Sequence, residues 1–380
     1  MKEQDHYQIC ENCVMDTSDS GIFFDENGIC DYCLNFQKNI QNFFFHGKNK
    51  SKIISDYFLK IKKNNKNKNY DCLIGISGGV DSCYLAHILK TKYNLRPLAV
   101  HVDTGWNSKI SVNNIEKIID GLNIDLYTEV IDWKEMRDLQ LSFFEANHPN
   151  LDIPQDHAIF ASLYNYAVKN DINYILTGGN FSTECIREPL EWAYHASDLK
   201  HIKEIHKLFG KEKLKNFPFC DIFTYKIFYK YFKNINVFQP LNYISYNKIE
   251  AINILEENYK WIKYANKHYE SRFTKFYEGY WLRKKFNFDK RRAHFSSLIL
   301  TNQMTRHEAI KKLKNEPLDE IDIKNEFKFV CEKLDISEDY LENLMRSENR
   351  SFKDYKSNYK YIQFFVKLLR LIGWERRIIR

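Results

Sequence analysis

Tyr70-Asp71-Cys72-Leu73-Ile74-Gly75 is a short apolar run that ends in Ile76-Ser77-Gly78-Gly79-Val80-Asp81-Ser82. Cys83 to Lys90 then follows with Leu85, Ala86 and Leu89 on one helical face. A buried strand, a glycine turn and an amphipathic helix in direct succession leave the chain little choice of local structure. Such a turn aims several backbone N–H groups at one place beside a helix N-terminus and suits a phosphate group.

Strand and helix patterns alternate from Tyr70 to about Thr177. Strand one is read over Tyr70–Ile76 and strand two over Leu98–Val102, introduced by Pro97. Ile115, Ile118, Ile119 and Leu122 make a helical stripe ending near Asn123, and strand three follows at Asp125–Val130. Helical patterns cover Trp133–Glu145 and Ala158–Val168, and strand four, Tyr174–Thr177, runs into Gly178-Gly179-Asn180. This alternation predicts an α/β fold, a parallel doubly wound sheet with helices on both faces. Ligands on such sheets sit outside the carboxyl ends of the strands, where Ser77–Ser82, Asp103 and Gly178–Asn180 converge.

Around this unit the chain divides into four parts. Residues 1–35 form a cysteine module, 36–69 a helix and linker, 70–240 the α/β domain with an insertion at 185–240, and 241–380 a mostly helical substrate or partner region. The insertion reads as mostly helical. Lys62-Lys63-Asn64-Asn65-Lys66-Asn67-Lys68-Asn69 is polar and aperiodic, so it reads as a solvated connection. The net charge of +7 is spread through a Lys- and Asn-rich chain, which fits a general compositional bias or an anionic substrate. Met1-Lys2-Glu3-Gln4-Asp5 is not a signal peptide, and the longest apolar run, Ile362 to Trp374, is broken by Lys367 and Arg370. A cytoplasmic protein without a membrane span is expected, where disulfides are rare and nine cysteines need another explanation.

Cys10-Glu11-Asn12-Cys13 and Cys30-Asp31-Tyr32-Cys33 are two CxxC pairs with sixteen residues between them. The spacing is that of a four-thiolate structural zinc ribbon, with no open position for catalysis, and a redox or iron–sulfur role is the minority alternative. Cys72 and Cys83 fall in core patterns, whereas Cys220 and Cys331 have no recognisable context. Cys185, near the end of strand four, is either a site-wall residue or a thiol nucleophile.

A Walker loop needs a lysine before its Ser/Thr, and none stands here. The loop instead resembles the pyrophosphate loop of the ATP pyrophosphatase family, SGGxDS after a strand. That resemblance implies an adenine nucleotide alpha hydrolase-like PP-loop domain that cleaves ATP between its α- and β-phosphates. Ser77, Gly78, Gly79, Val80, Asp81 and Ser82 would then hold the pyrophosphate, with Asp81 on Mg2+. His101 and Asp103 close strand two where family members bind adenosine, although Asp103 equally suits a loop or cap carboxylate. Gly178, Gly179 and Asn180 would let ATP approach, with Glu184 holding magnesium or acting as a base.

Three further blocks narrow the family: Lys267-His268-Tyr269-Glu270-Ser271-Arg272-Phe273-Thr274-Lys275-Phe276-Tyr277, Asp289-Lys290-Arg291-Arg292-Ala293-His294-Phe295-Ser296-Ser297-Leu298-Ile299, and Gln303-Met304-Thr305-Arg306-His307-Glu308-Ala309. With the CxxC pairs and the loop, they resemble the N-acetyl sugar amidotransferases of bacterial surface-sugar pathways, including those of pseudaminic and legionaminic acid. The resemblance implies that ATP adenylylates an N-acetyl carbonyl oxygen and ammonia displaces AMP, leaving an acetamidino group. His268 and Glu270 would join the catalytic group. Arg272, Lys275, Arg291, Arg292 and His294 would hold an anionic sugar or nucleotide sugar, or else serve in ion pairs. A separate glutaminase subunit is expected to supply ammonia, since no N-terminal cysteine nucleophile or Gly-x-Cys-x-Gly elbow is present. Ile362 to Ile379 could dock that partner or pack on its own domain. No nucleic-acid partner is expected, because the positive charge is not gathered on one face. The alternatives are a tRNA thiolase, which would want a cysteine at the ATP site, and a non-catalytic scaffold, which would not need an intact loop.

Overall fold

The computed structural model describes residues 7–46 and 49–371. Five parallel strands, β1 (Cys72–Gly75), β2 (Pro97–Asp103), β3 (Leu126–Val130), β4 (Tyr174–Leu176) and β5 (Asn236–Phe238), lie in the order β3-β2-β1-β4-β5. Leu73 of β1 pairs with Leu98 on one side and Ile175 on the other.

Successive side chains of a strand point to opposite faces, and the two cores follow that rule. Leu73, Leu98, Val100, Val102 and Ile175 enter one core, under the helices Trp133–Glu145 and Ile153–Lys169. Cys72, Ile74, Ile76, Ala99 and Leu176 enter the other, under Lys50–Asn64, Val80–Thr91, Lys109–Leu122 and Lys248–Tyr259. Both faces are thus covered, the doubly wound arrangement read from the sequence. The stripe through Ile115 ends where expected: Asn123 takes a left-handed φ of 48° and closes the helix.

Three local expectations change. Strand one is shorter than Tyr70–Ile76. Residues 185–240 are not mostly helical: they hold one long α-helix, Leu199–Phe209, a π-helical stretch, Thr224–Phe232, and β5, which lies against β4. The tract 62–69 is not merely solvated. The preceding helix runs to Asn64, and Asn65 is buried, its Nδ2 donating to the Ile61 and Asp71 carbonyls.

Arg96 fixes this tract from the other side. Its guanidinium donates to Asp71 Oδ1 at 2.8 Å and to the carbonyls of Lys68 and Asn65, while Asp71 Oδ2 also takes the Arg96 N–H. Asp71 is 2% exposed, so its carboxylate exists to satisfy these donors. Asp71→Ala is expected to cost about 2 kcal/mol, the scale of hydrogen bonds to a charged group. A urea midpoint equal to that of the parent would show that Arg96 finds water just as good a partner.

Beyond the sheet, the helical C-terminal region completes both the core and the site. Phe273, Phe276, Tyr277 and Trp281 are buried in the core shared with Trp106 and Phe144. The helix Arg291–Leu300 packs on the N-terminal module, where Ser296 Oγ accepts the Val14 N–H at 3.1 Å. The last described helix is Tyr359–Leu371; the expected continuation to Ile379 lies outside the described residues. Among the described residues no helix is long and apolar enough to cross a membrane.

Candidate functional site

The order of the strands reverses between β1 and β4, and the loop after β1 faces the loop after β4 across that switch point. Gly78 has a φ of 80°, where a side chain is strained, and a Cβ there would stand 2.6 Å from the Ser111 carbonyl oxygen. Its own carbonyl accepts the Trp261 indole N–H at 2.9 Å and the Tyr264 hydroxyl at 3.3 Å. Ser111 Oγ donates to the Ser77 carbonyl at 2.9 Å. Both carbonyls are therefore engaged with protein donors. No side chain caps the helix that starts at Val80, so its first-turn N–H groups are left for a ligand. Ser77 Oγ and Ser82 Oγ, 3.3 Å apart, line the same cradle. From β4, Gly178 approaches so closely that a Cβ would lie 3.0 Å from the Asp81 backbone.

The cradle opens into a cavity of about 1190 Å³. That exceeds the roughly 300–1,000 Å³ of ordinary small-molecule sites and leaves room for a second substrate. Charged groups from distant segments meet here. Asp81 accepts a hydrogen bond from the Tyr246 hydroxyl, and burial raises its carboxyl pKa against the opposing pull of Lys267. Lys267 Nζ pairs with Glu184 at 2.6 Å. The Glu270 carboxylate lies against Gly79, where it would block any Cβ. Burial pushes its pKa up to about 7, with the neighbouring Asp81 charge adding to the shift.

Glu270 reaches the loop through an antiparallel bridge between Asn107 and Ser271 and the Ser108 N–H, which donates to the Glu270 carbonyl at 2.8 Å. His268 projects into the cavity with a φ of 64°. Surrounding protein, and then Lys267, push its pKa down to about 3, so the imidazole is neutral. His294 is likewise kept neutral by burial and by Lys248. Its Nδ1 lies 3.2 Å from the Thr183 carbonyl, and its Nε2 is 3.4 Å from Lys248 Nζ.

Ser77, Gly79, Val80, Asp81, Ser82, His101, Gly178, Gly179, Glu184, His268, Glu270, Arg291 and His294 line the cavity, whereas other expected site residues stand behind it. Asp103 serves its own loop, accepting from the Gly105 N–H and from Asn107 Nδ2 at 2.9 Å, the loop-carboxylate alternative. His101 is oriented by the Ile76 carbonyl at 3.0 Å and by Asn107. Asn180 caps the turn Phe181–Glu184 by accepting the Thr183 N–H.

The basic residues expected to hold an anionic substrate are drawn into ion pairs. Arg272 pairs with Glu326 at 2.9 Å and stacks on Phe329, and Lys275 reaches Asp322 and Glu326. Arg292 grips the Val14 carbonyl and Asp16. Arg291 lines the cavity with its charge already taken by Asp289 at 2.7 Å. Tyr246, Lys248, Trp261 and Tyr264 are site residues that the sequence did not single out. They sit in segments whose only visible pattern was helical or aromatic. No cysteine among the described residues lines the cavity, and Cys185 is buried behind it with Sγ 3.8 Å from the Ser297 carbonyl.

The four N-terminal thiols do converge. Cys10 and Cys33 Sγ are 3.8 Å apart, Cys13 and Cys30 3.6 Å, and all four ligand atoms lie within 4.8 Å of one another. Four sulfurs about 2.3 Å from one ion would form a tetrahedron with edges of about 3.8 Å. The set therefore fits a single tetrahedral metal ion. N–H groups of Cys13, Met15 and Cys30 already point at the sulfurs, as ligand thiolates need. Arg306 braces the module by donating to the Cys10 and Cys13 carbonyls at 2.9 and 3.0 Å.

Fold and site together define a class: a doubly wound α/β protein with a glycine-rich loop at its switch point, a four-cysteine group before it and a helical region after it. Residues 270–369, about a quarter of the chain, match the family described as LPS biosynthesis protein WbpG-like, C-terminal domain. An uncharacterized protein of Methanocaldococcus jannaschii is 29% identical over 118 residues, 31% of this chain and 40% of that protein. The chain thus matches less than half the length of that relative. Among solved structures, the chain is similar to the NH3-dependent NAD synthetase of Campylobacter jejuni, with 15% identity, 75% of this chain and 93% of that one covered, and a TM-score of 0.31. The NMN synthetase of Francisella tularensis gives 15% identity, 79% and 97% coverage and a TM-score of 0.31. The U34-tRNA thiolase NcsA of Methanococcus maripaludis, with its 4Fe-4S cluster, gives 14%, 81% and 89%, and 0.32.

Proposed function

We propose that this protein is an ATP-dependent, AMP- and pyrophosphate-forming amidotransferase that converts the N-acetyl group of a bacterial surface sugar into an acetamidino group. The observation that carries the proposal is the lysine-free glycine cradle opening into a cavity whose wall includes Glu270, Lys290 and His294. Those three residues belong to the stretch that matches the WbpG-like lipopolysaccharide family.

In this reading the acetamido oxygen attacks the α-phosphorus of ATP, and pyrophosphate leaves into the cradle. Ammonia adds to the activated carbon, AMP departs with the oxygen, and a base takes the proton. The protein contributes position and charge complementarity. Asp81 is the carboxylate that would hold Mg2+ with the phosphates, since such ions use one or two carboxylates plus substrate oxygens. Magnesium would neutralise the departing pyrophosphate. Lys248, whose pKa burial lowers, and Lys267 supply the positive charge that a Walker lysine supplies elsewhere.

Glu270 is the base: it touches the loop and titrates near neutrality. A raised carboxyl pKa means the proton stays on until about pH 7, so basic catalysis is lost as pH falls through that value. The pH profile of kcat/KM is expected to have an acid limb near 7 that disappears in Glu270→Gln, along with most of the rate. An acid limb kept by that variant would assign the base elsewhere.

The four-cysteine group is taken as a structural zinc site, because four thiolates leave no position for water. A separate glutaminase subunit in the cytoplasm would supply the ammonia. A thiolase reaction is disfavoured by the absence of cysteine from the cavity lining among the described residues. The direct test incubates the protein with Mg·ATP, ammonium chloride and a panel of N-acetyl sugars. Formation of AMP together with a product in which NH replaces O supports the function. ATP turnover only with tRNA and a sulfur donor would refute it.

A further inference from the structure

Two helices on the outside of the fold show apolar side chains to solvent. In the π-helical stretch Thr224–Phe232, Tyr225 packs on Phe160 with ring centroids 4.7 Å apart, and the Tyr229 hydroxyl donates to Asn165 Oδ1 at 3.0 Å. Ile227, Phe228, Tyr231 and Phe232 are left outside, Phe232 with 72% of its surface exposed. The helix Tyr359–Leu371 behaves in the same way, and of its residues Ile362 alone is buried. Tyr361, Phe364, Phe365 and Leu368 recur at the i, i+3, i+4, i+7 spacing of a core-facing stripe, yet all four are exposed. Phe364 is 67% exposed and Leu371, at the end of the helix, 84%. Phe223 meets Phe365 with ring centroids 6.1 Å apart, so the two helices present one patch. The second helix is anchored at its start, where the Asn358 N–H donates to the buried Asp198 at 2.6 Å and Tyr359 packs on Phe352.

A contiguous exposed apolar patch marks a binding surface, and the charge around it says for what. Residues 222–249 and 355–371 contain no Asp or Glu. Lys226, Lys230 and Lys233 stand over the rings of Tyr225, Tyr231 and Phe228 at 5.2, 5.3 and 5.9 Å, so their stems border the patch and their charges rim it. Lys360, Lys367 and Arg370 are exposed and make no ion pair with the described residues. The acids that precede the two stretches are spent on their own turns: Asp221 accepts from Thr224 and Phe223, and Asp354 from Ser351.

The face is thus apolar at its centre and cationic at its rim. A second copy of this chain would bring like charge against it. The sequence beyond Leu371 adds Arg376, Arg377 and Arg380 against the lone acid Glu375, so it supplies no counter-charge either. Nucleic acid would match the charge and leave the aliphatic Ile227, Leu368 and Leu371 without an apolar partner. An anionic lipid surface offers both, negative headgroups and acyl chains beneath them, and interfacial helices that bind one have this composition. We infer that this face docks the protein on a bilayer bearing anionic lipids, with both helices lying in the headgroup layer. The attachment is peripheral, and it does not depend on the reaction proposed above.

Cosedimentation of the full chain with vesicles of phosphatidylcholine, alone or mixed with phosphatidylglycerol, tests this. The parent is expected to bind the mixed vesicles about tenfold more tightly than the neutral ones, and to release them as salt is raised. Leu371→Ser should lower the affinity about tenfold, the scale of one leucine returned to water. Lys367→Gln should lower it about fivefold, the scale of one basic residue near an anionic surface. Both side chains are exposed, so the urea midpoints and AMP formation in solution should stay those of the parent. The inference is overturned if the parent binds neither kind of vesicle or both equally, or if the two variants bind as the parent does. It is also overturned if light scattering shows a dimer that Leu371→Ser dissociates, since a second copy would then cover the face.

Discussion

Asp81→Ala is expected to lower AMP formation by about 100- to 1,000-fold, the scale on which loss of one preorganised charge-stabilising group acts. Its carboxylate is held by the Tyr246 hydroxyl and faces Lys267, Lys248 and Glu184 across the cavity. Without it the Mg2+ it would hold loses its protein ligand, and the pyrophosphate would face Glu184 and Glu270 with less counter-charge in place. The change removes no core contact, so the far-UV spectrum and the urea midpoint should stay close to those of the parent. Tyr246→Phe keeps the carboxylate but leaves it unheld, and a loss of about tenfold is expected there, one lost hydrogen bond's worth of positioning. Steady-state assays of both variants decide the matter. An Asp81→Ala protein within tenfold of the parent would remove this residue from the reaction.

Loss of metal from the N-terminal module should be the most damaging change to stability. Structural zinc contributes roughly 10–16 kcal/mol to small modules that cannot otherwise fold. Cys33→Ser, or prolonged chelation of the parent, is expected to remove the ion and unfold the module. Damage should spread further, because Cys10, Cys13, Cys30 and Cys33 share a core with Trp192, Ile186 and Ala293, and the last two line the cavity. The observable result is an equimolar metal content in the parent, a metal-free variant, and an unfolding midpoint lowered together with ATP affinity. A variant that keeps its metal, or a metal-free protein with unchanged midpoint and affinity, would mean the four thiols are not its anchor.

Much of this was legible in the sequence where a local pattern carried enough information. The loop, its glycines and the four-cysteine spacing depend on neighbours within a few residues, and they stand where expected. β5 was not legible: it is three residues long, Asn236 to Phe238, too short for any period to show. The dense basic blocks left two readings open for a different reason. Arg272, Lys275 and Arg292 look equally suited to an anionic substrate or to a protein carboxylate. Only the placement of Glu326, Asp322 and Asp16 decides between the two. Lys248 and Tyr246 were invisible because a helix start around Asn247, which caps it by accepting from Ile249 and Glu250, reads as an ordinary helix.

The indole of Trp261, bonded to the Gly78 carbonyl, has a consequence for how the protein is made. The cradle depends on a contact spanning 183 residues, and Tyr264 spans 186. A chain still on the ribosome can pair β1 with β2, but it cannot fix the phosphate loop until its second half has emerged. Long-range contacts of this kind are slow to close, since loop entropy is lost before they form. A nascent or truncated chain ending before Trp261 would therefore carry the full SGGVDS signature without a formed cradle, and the ATP binding proposed above would be a property acquired late in synthesis.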